Sequence, residues 1–372
     1  NDSFALRVNA VYSDLNDALY HHAYKKIEGL HVAASVKISE KIFFRGEVEM
    51  SDQKSVTSKP RPPRDRVSNW LDSPSPRFTF SDNDDPGVDL TEYGISKFGG
   101  ADRVTYVDND GTVLNLANWY TSSGSGILFP GNHGELVDAS INDGGPGQSR
   151  ENEFRTIGGA FDIQLGPQTF LELAFNQSEI ENFGYSFSTT QGFRGSPAQF
   201  LPDGTTPNIG VGRLYLEGQW YRFHHDLEFD SYRATLSHEM DFDKWGNYRL
   251  ALLYEIDDEV ADTEQDREVW VDSSGQGLYH SDPRNARNRA YRRHYLFEEG
   301  NWADYHISSP DLIQGIPTNT GETAYSDWRH QNSGQYFSSD FTTWMVGLQA
   351  RYFDNRLVLA GGYREDELTR PK

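Results

Sequence analysis

The densest group of functional side chains in the sequence is the basic segment RNARNRAYRRHY, residues 284–295. Guanidinium groups form paired hydrogen bonds with carboxylates and phosphates, so an arginine cluster of this kind can bind an anionic ligand. The phosphates of lipopolysaccharide are a second candidate partner. The alternative is that these arginines form ion pairs with nearby acidic side chains. The candidate ligand-binding residues are Arg284, Arg287, Arg289, Arg292 and Arg293, and the nearby acids include Asp262, Glu264, Asp266 and Glu268.

Two segments place tryptophan beside tyrosine and histidine: GQWYRFHH, residues 218–225, and NWADYH, residues 301–306. Flat aromatic rings can stack on sugars or on planar chelates, so Trp220, Tyr221 and Trp302 are further candidate ligand contacts. The alternative is that they anchor small hydrophobic cores inside the loops, since large aromatic rings bury much apolar area.

Other patterns are too incomplete to predict a metal site, a cofactor site or an enzyme. SDNDDPGVD, residues 81–89, and VDNDGT, residues 107–112, resemble pieces of a calcium loop but lack its full set of spaced oxygen ligands. The Asp108–Gly111 segment is more typical of a turn, and adjacent histidine pairs at 21–22 and 224–225 are usually exposed. There is no GxSxG, HExxH or phosphate-loop motif.

The elements that would position these residues are β-strands, because apolar and polar residues alternate with a period of two. From Leu30 to Met50, one face is apolar and the other is mostly polar. The same pattern recurs elsewhere, and no Asp, Glu, Lys or Arg lies on any of the apolar faces. The nine predicted strands lie within residues 3–12, 30–38, 42–50, 156–165, 169–176, 230–242, 248–256, 343–352 and 357–364.

The connections between these strands alternate between short and long. The short ones, near residues 39–41, 166–168, 243–247 and 353–356, carry residues typical of hairpin turns. The long ones, near residues 13–29, 51–153, 177–228 and 257–341, carry most of the charge, proline and glycine. Because the two kinds alternate, short turns are expected at one end of the strands and long loops at the other.

The apolar faces are predicted to contact lipid rather than a protein core. A tilted strand crosses a bilayer in about 9–11 residues, and the predicted strands approach or exceed that length. Aromatic residues flank the apolar segments at both ends, as in the girdles of membrane barrels. The expected fold is all-β, a segment of a large antiparallel transmembrane β-barrel with short periplasmic turns and long extracellular loops. The flanking aromatic residues are Phe44, Phe242, Trp245, Tyr248, Tyr352 and Phe353 at one end, and Tyr12, Tyr232, Tyr254 and Tyr363 at the other.

The composition of the 372 residues fits this interpretation. The mean hydropathy of −0.71 reflects the polar loops, and aromatic residues make up 13%. A formal net charge of −22 argues against a nucleic-acid partner. The absence of cysteine excludes disulfides and thiolate metal ligands, and no apolar run is long enough for a transmembrane helix. The first residues also lack the pattern of a signal peptide.

The segments FALRVNAVYSD, residues 4–14, and GLHVAASVKISEKIFFRGEVEMSDQ, residues 29–53, resemble the first strands of the barrel of TonB-dependent outer-membrane receptors. The resemblance implies that residues 1–372 form part of a barrel of about 22 strands in a Gram-negative outer membrane. It implies a plug domain, absent from this chain, through which the TonB energy-transducing complex would act. It also implies active uptake of a scarce ligand, such as a ferric siderophore, cobalamin or an oligosaccharide.

Two other functions share parts of this pattern. A passive porin-type channel would have the same strands, although the long 51–153 connection favours a receptor. A soluble, secreted, β-rich carbohydrate-binding protein would turn its apolar faces inward. The sequence begins and ends on predicted strands, which suggests a segment of a larger barrel, and it ends in DELTRPK without the terminal aromatic residue that the resemblance implies.

Overall fold

The computed structural model describes residues 3–56, 64–73, 90–97, 104–108, 110–116, 120–122, 142, 144–188, 193–201, 204–295, 309–331, 335–353 and 356–370. Among these residues, no helix has both the length and the apolar character needed to span a membrane.

Nine long strands form one continuous antiparallel meander, in which each long strand pairs with the long strands before and after it. All nine predicted strands are therefore confirmed. They are β1 (Phe4–Asn16), β2 (Tyr24–Ser39), β3 (Ile42–Val56), β8 (Ser149–Gly166), β9 (Thr169–Ser188), β11 (Leu214–Asp241), β12 (Asn247–Val271), β16 (Gln335–Tyr352) and β17 (Leu357–Thr369).

Shorter elements lie in the long connections. Among the described residues of the β3–β8 connection there are four short strands and one four-residue α-helix, α1 (Ser68–Leu71). The short strands of the described residues are β4 (Ile95–Lys97), β5 (Val104–Val107), β6 (Val113–Leu116), β7 (Tyr120–Ser122), β10 (Phe193–Gly195), β13 (Tyr291–Tyr295), β14 (Ile316–Pro317) and β15 (Thr323–His330). β10 and β13 pair with the N-terminal end of β11, and β15 pairs with the C-terminal end of β12. Both of these ends lie at the long-loop end of the sheet, which we call its upper end, so loop strands extend the sheet there.

The predicted bounds of the long connections are wrong, because the strands continue well past their apolar faces. The connection expected near residues 13–29 spans only 17–23, and the one near 177–228 spans 189–213. Those near 51–153 and 257–341 span 57–148 and 272–334 between the long strands. In each extension the backbone ladder persists while the outward face becomes charged. Glu28, for example, pairs with Asp52 two positions beyond Leu30 and Met50.

The short connections match the sequence prediction and form tight turns at the end of the sheet opposite the long loops. β2 and β3, like β8 and β9, are joined by two residues between the assigned strands. Left-handed backbone conformations occur at Asp243, Gly246 and Phe353, with φ of 52°, 93° and 51°. The side chains of Phe242, Trp245 and Phe353 around these turns are exposed.

The hydrophobic core lies at the long-loop end of the sheet rather than along it. The large buried side chains come from the loops and from the upper ends of β9, β11 and β12. The apolar faces of the long strands are instead exposed, as for Leu6 at 58% and Leu348 at 45%. Soluble proteins rarely expose apolar patches of this extent. This apolar face of the meander, which we call the convex face, therefore requires an apolar environment.

Candidate functional site

The polar face of the meander is concave and encloses a cavity of about 540 Å³. Residues from seven successive long strands, β1 through β12, line this one cavity, which shows how far the sheet curls. Small side chains such as Ala33, Gly158 and Ala174 leave the space open. The charged and amide side chains that line it are Arg7, Arg45, Glu47, Asn176, Arg233 and Glu255.

Charged side chains at the lower edge of this cavity form a connected network. Glu172 on β9 contacts Arg45 on β3 and lies 3.1 Å from the guanidinium of Arg233 on β11. Arg45 also lies 3.7 Å from Asp162 on β8. Period-two alternation places all four side chains on the same face, and the antiparallel register brings the strands together. In this network, charged side chains of the polar faces pair across neighbouring strands.

A second polar group lies higher on the same face, near β1. The Asn9 amide lies 3.0 Å from His31 Nδ1, and His31 Nε2 lies 3.3 Å from a Glu47 carboxylate oxygen. Both cation and anion partners are thus available around one water-accessible cavity. Such a surface can bind a polar ligand of either charge, and the described residues do not select one.

The loops above the cavity are held by compact hydrophobic clusters. Trp220 is fully buried and packs edge-on against Phe187, with ring centroids 5.1 Å apart. Trp70 and Phe193 belong to the same cluster. Trp220 therefore presents no surface to a ligand, which counts against its assignment as a candidate ligand contact. The alternative, an anchor of a loop core, is confirmed.

Arg292 and Arg293 also present almost no surface to a ligand, because both are buried in ion pairs. Arg292 donates through Nε to Glu268 at 3.0 Å and also bonds the carbonyl of Asp311 at 2.7 Å. Arg293 Nε lies 2.8 Å from a Glu217 carboxylate oxygen. Pairing with nearby acids, the alternative stated for this segment, is confirmed for Glu268. The Glu217 partner comes from β11 and was not predicted.

The Arg293 guanidinium is stacked between aromatic rings as well as ion-paired. It lies 3.6 Å from the Tyr106 ring centroid and 4.0 Å from that of Tyr215. Burial alone would lower the pKa of Arg293, but Glu217 and the surrounding tyrosines outweigh it and hold this pKa above its ordinary value. Burial raises the pKa of Tyr106 and of Tyr215. The cluster therefore holds a charged arginine among neutral phenols.

The remaining arginines of the segment are more accessible. Arg284 and Arg287 are exposed, and Arg284 Nε lies 3.3 Å from the half-exposed Asp282. Arg289 is partly buried, and its backbone pairs with Val269. Arg284 and Arg287 thus stay candidate anion contacts. The structure separates them from the buried pair 292–293, although all lie within ten residues of sequence.

The other candidates divide in the same way. Tyr221 is partly exposed, and the Arg267 guanidinium lies 4.9 Å from its ring centroid, so it stays a candidate contact. Trp302 and the 81–89 segment lie outside the described residues.

Asp108 forms a turn, since its carboxylate accepts hydrogen bonds from the backbone N–H of Asp110 and Thr112 at 3.0 and 2.9 Å. This confirms the turn expected there.

A solved structure with the same fold is an outer-membrane receptor. The ferripyoverdine receptor of the outer membrane of Pseudomonas aeruginosa matches 99% of this chain at a TM-score of 0.51 and 11% identity. BauA, the ferric preacinetobactin receptor from Acinetobacter baumannii, matches 99% at a TM-score of 0.48 and 10% identity. The chain covers 34% and 37% of those two proteins, so it spans about a third of their length.

No family model and no curated protein matches the sequence. At 11% identity the likeness to the ferripyoverdine receptor concerns the fold. The all-β assignment, as a segment of a large antiparallel barrel, is confirmed. The resemblance to the barrel of TonB-dependent receptors is confirmed at the same level.

Proposed function

We propose that this chain forms part of the barrel wall of a Gram-negative outer-membrane receptor that takes up a scarce ligand. The observation that carries the proposal is the arrangement of its two faces. The convex face of nine successive strands is apolar and exposed, while the concave face is polar and encloses a cavity. Only a helix or a closed barrel satisfies every backbone group in lipid.

The proposed ligand is a small polar molecule, either a ferric siderophore, cobalamin or an oligosaccharide. A siderophore is supported by the fold match to a receptor solved bound to ferripyoverdine. The proposed energy source is the TonB complex, acting through a plug domain in the complete protein. The exposed Arg284 and Arg287 and the lining residues Arg45 and Arg233 are the proposed contacts for an anionic ligand.

Uptake measured in cells tests this proposal. Cells producing the complete receptor would be supplied with labelled ferric siderophore, cobalamin or oligosaccharide, with and without a functional TonB complex. We expect TonB-dependent accumulation of one ligand class. Accumulation that is unchanged without TonB would replace the receptor by a passive porin-type channel.

The orientation of the wall is tested separately with a photoreactive residue. At Val32, on the apolar face, we expect adducts with lipid, whereas the neighbouring Ala33 lines the cavity and should give none. Equal lipid labelling at both positions would contradict the assignment of the two faces. Absence of lipid adducts at Val32 would favour the soluble carbohydrate-binding alternative.

A further inference from the structure

A group of metal-ligating side chains lies on the convex side of the sheet, beyond the apolar faces. Glu181 on β9 and His224 and Asp226 on β11 place their ligand atoms within 4.8 Å of one another. Asp226 is directly opposite Glu181 in the antiparallel register, and His224 lies two residues along the same face. Their side chains are 38–50% exposed as a whole.

The distances at His224 are compatible with a shared metal ion. Its Nε2 lies 3.1 Å from Asp226 Oδ1 and 3.3 Å from Glu181 Oε1. When an ion sits about 2.0–2.1 Å from each ligand, neighbouring ligand atoms are about 3.0–3.4 Å apart. A neutral imidazole can donate only one hydrogen bond from Nε2, yet two carboxylate oxygens, one of Glu181 and one of Asp226, face this nitrogen. The exposed carboxylates can rotate to close the remaining separation.

The electrostatics of this face also favour a cation. Carboxylates stand directly opposite one another across four neighbouring strands, which is unfavourable for a sheet. These carboxylates are Glu153, Glu181, Asp226 and Asp262. Within the described part of the chain, no lysine or arginine forms an ion pair with Glu181, Asp226 or Asp262. Asp226 Oδ1 has no solvent-exposed surface and no hydrogen-bond partner of good geometry.

We propose that Glu181, His224 and Asp226 bind a divalent transition-metal ion such as Zn²⁺, with water completing its coordination. The imidazole selects this class, because Mg²⁺ and Ca²⁺ prefer sites made of oxygen ligands alone. The ion would join β9 to β11 on the outer side of the wall. The site is independent of the concave cavity, and so of the proposed uptake.

His225 provides a matched control for His224. The two histidines are adjacent, but the period of two places His225 on the concave face, where its Nδ1 lies 2.7 Å from Thr263 Oγ1. The complete protein in detergent would be stripped with a chelator and titrated with zinc chloride by calorimetry. We expect His224→Ala to lose one equivalent of zinc or at least about tenfold in affinity, while His225→Ala binds as the unmodified protein does.

A zinc-edge anomalous signal then locates the ion, and we expect it between Glu181 and His224. Equal zinc binding by the two histidine variants would overturn the proposal, and so would a lack of zinc binding by the unmodified protein. Those results would leave His224 as a protonated partner of two carboxylates. Displacement of zinc by equimolar Mg²⁺ or Ca²⁺ would contradict the proposed class of ion. Comparing the circular dichroism spectra of both variants excludes misfolding as the cause of a loss.

Discussion

The buried pair between Arg293 and Glu217 leads to the sharpest prediction, made with the substitution Glu217→Gln. The two side chains are 1% and 3% exposed, and their closest nitrogen and oxygen atoms are 2.6 Å apart. The substitution keeps the shape of the side chain but leaves a buried guanidinium without its counter-charge. Breaking such a pair costs about 3–5 kcal/mol, because the remaining charge stays out of water.

This cost predicts how often the loop core opens. At 1.4 kcal/mol per factor of ten, the opening equilibrium should rise by about two to three and a half orders of magnitude. Hydrogen exchange of the backbone amides in β13, Tyr291–Tyr295, measures that change directly. The parts of the long strands near the short turns should keep their protection from hydrogen exchange, because none of their side chains contacts this pair.

Asp282→Asn is the matched control, since it makes the same carboxylate-to-amide change in an exposed pair with Arg284. Exposed pairs contribute less than about 1 kcal/mol, so exchange should change by less than about tenfold. Equal exchange in the two variants would refute the reasoning, because it would mean that Arg293 finds water or another partner when Glu217 loses its charge.

Three further predictions concern the sheet itself. Val32→Arg should cost about 2–4 kcal/mol of folding free energy in lipid vesicles if it lies near the bilayer midplane, whereas Ala33→Arg, on the cavity side, should fold as before in urea titrations. Glu172→Gln should lower stability by less than about 1 kcal/mol in the same titrations, because its arginine partners are half exposed; a larger loss would show that the network is not water-accessible. Gly218→Ala should lower the melting temperature, since its Cβ would overlap a neighbouring phenylalanine ring, whereas Gly347→Ala meets open space and should not.

The strands could be predicted from sequence because one physical rule controls them. Alternation of apolar and polar residues identified all nine long strands and separated their apolar face from the polar face, which carries Arg45, Glu172 and Arg233. The strand ends could not be found in this way. Beyond Leu30 and Met50 the outward positions are Glu28 and Asp52, so the alternation stops while the backbone ladder continues.

The loop residues were harder to assign because their partners are distant in sequence. Glu217 and Arg293 are 76 residues apart, and nothing in the local pattern links them. Trp220 and Tyr221 are adjacent, yet the period of two turns one into a buried cluster and the other toward Arg267. Extending the strand alternation upward from Tyr232 would have separated these two side chains.

The loop core and the spanning strands are stabilised by different physical terms. In the proposed outer-membrane setting, the convex face would contact lipid. Lipid and side chain would then both be apolar, so the lipid would select no particular packing of these side chains. In the loop core, Arg292 and Arg293 are adjacent on β13 and point to opposite sides, one to Glu268 of β12 and the other to Glu217 of β11. A misplaced β13 is disfavoured, because it would bury the charges of both arginines without their carboxylate partners. Arg292 and Arg293 therefore specify where the loop sits, and the proposed ligand contacts of the same segment are its exposed side chains, Arg284 and Arg287.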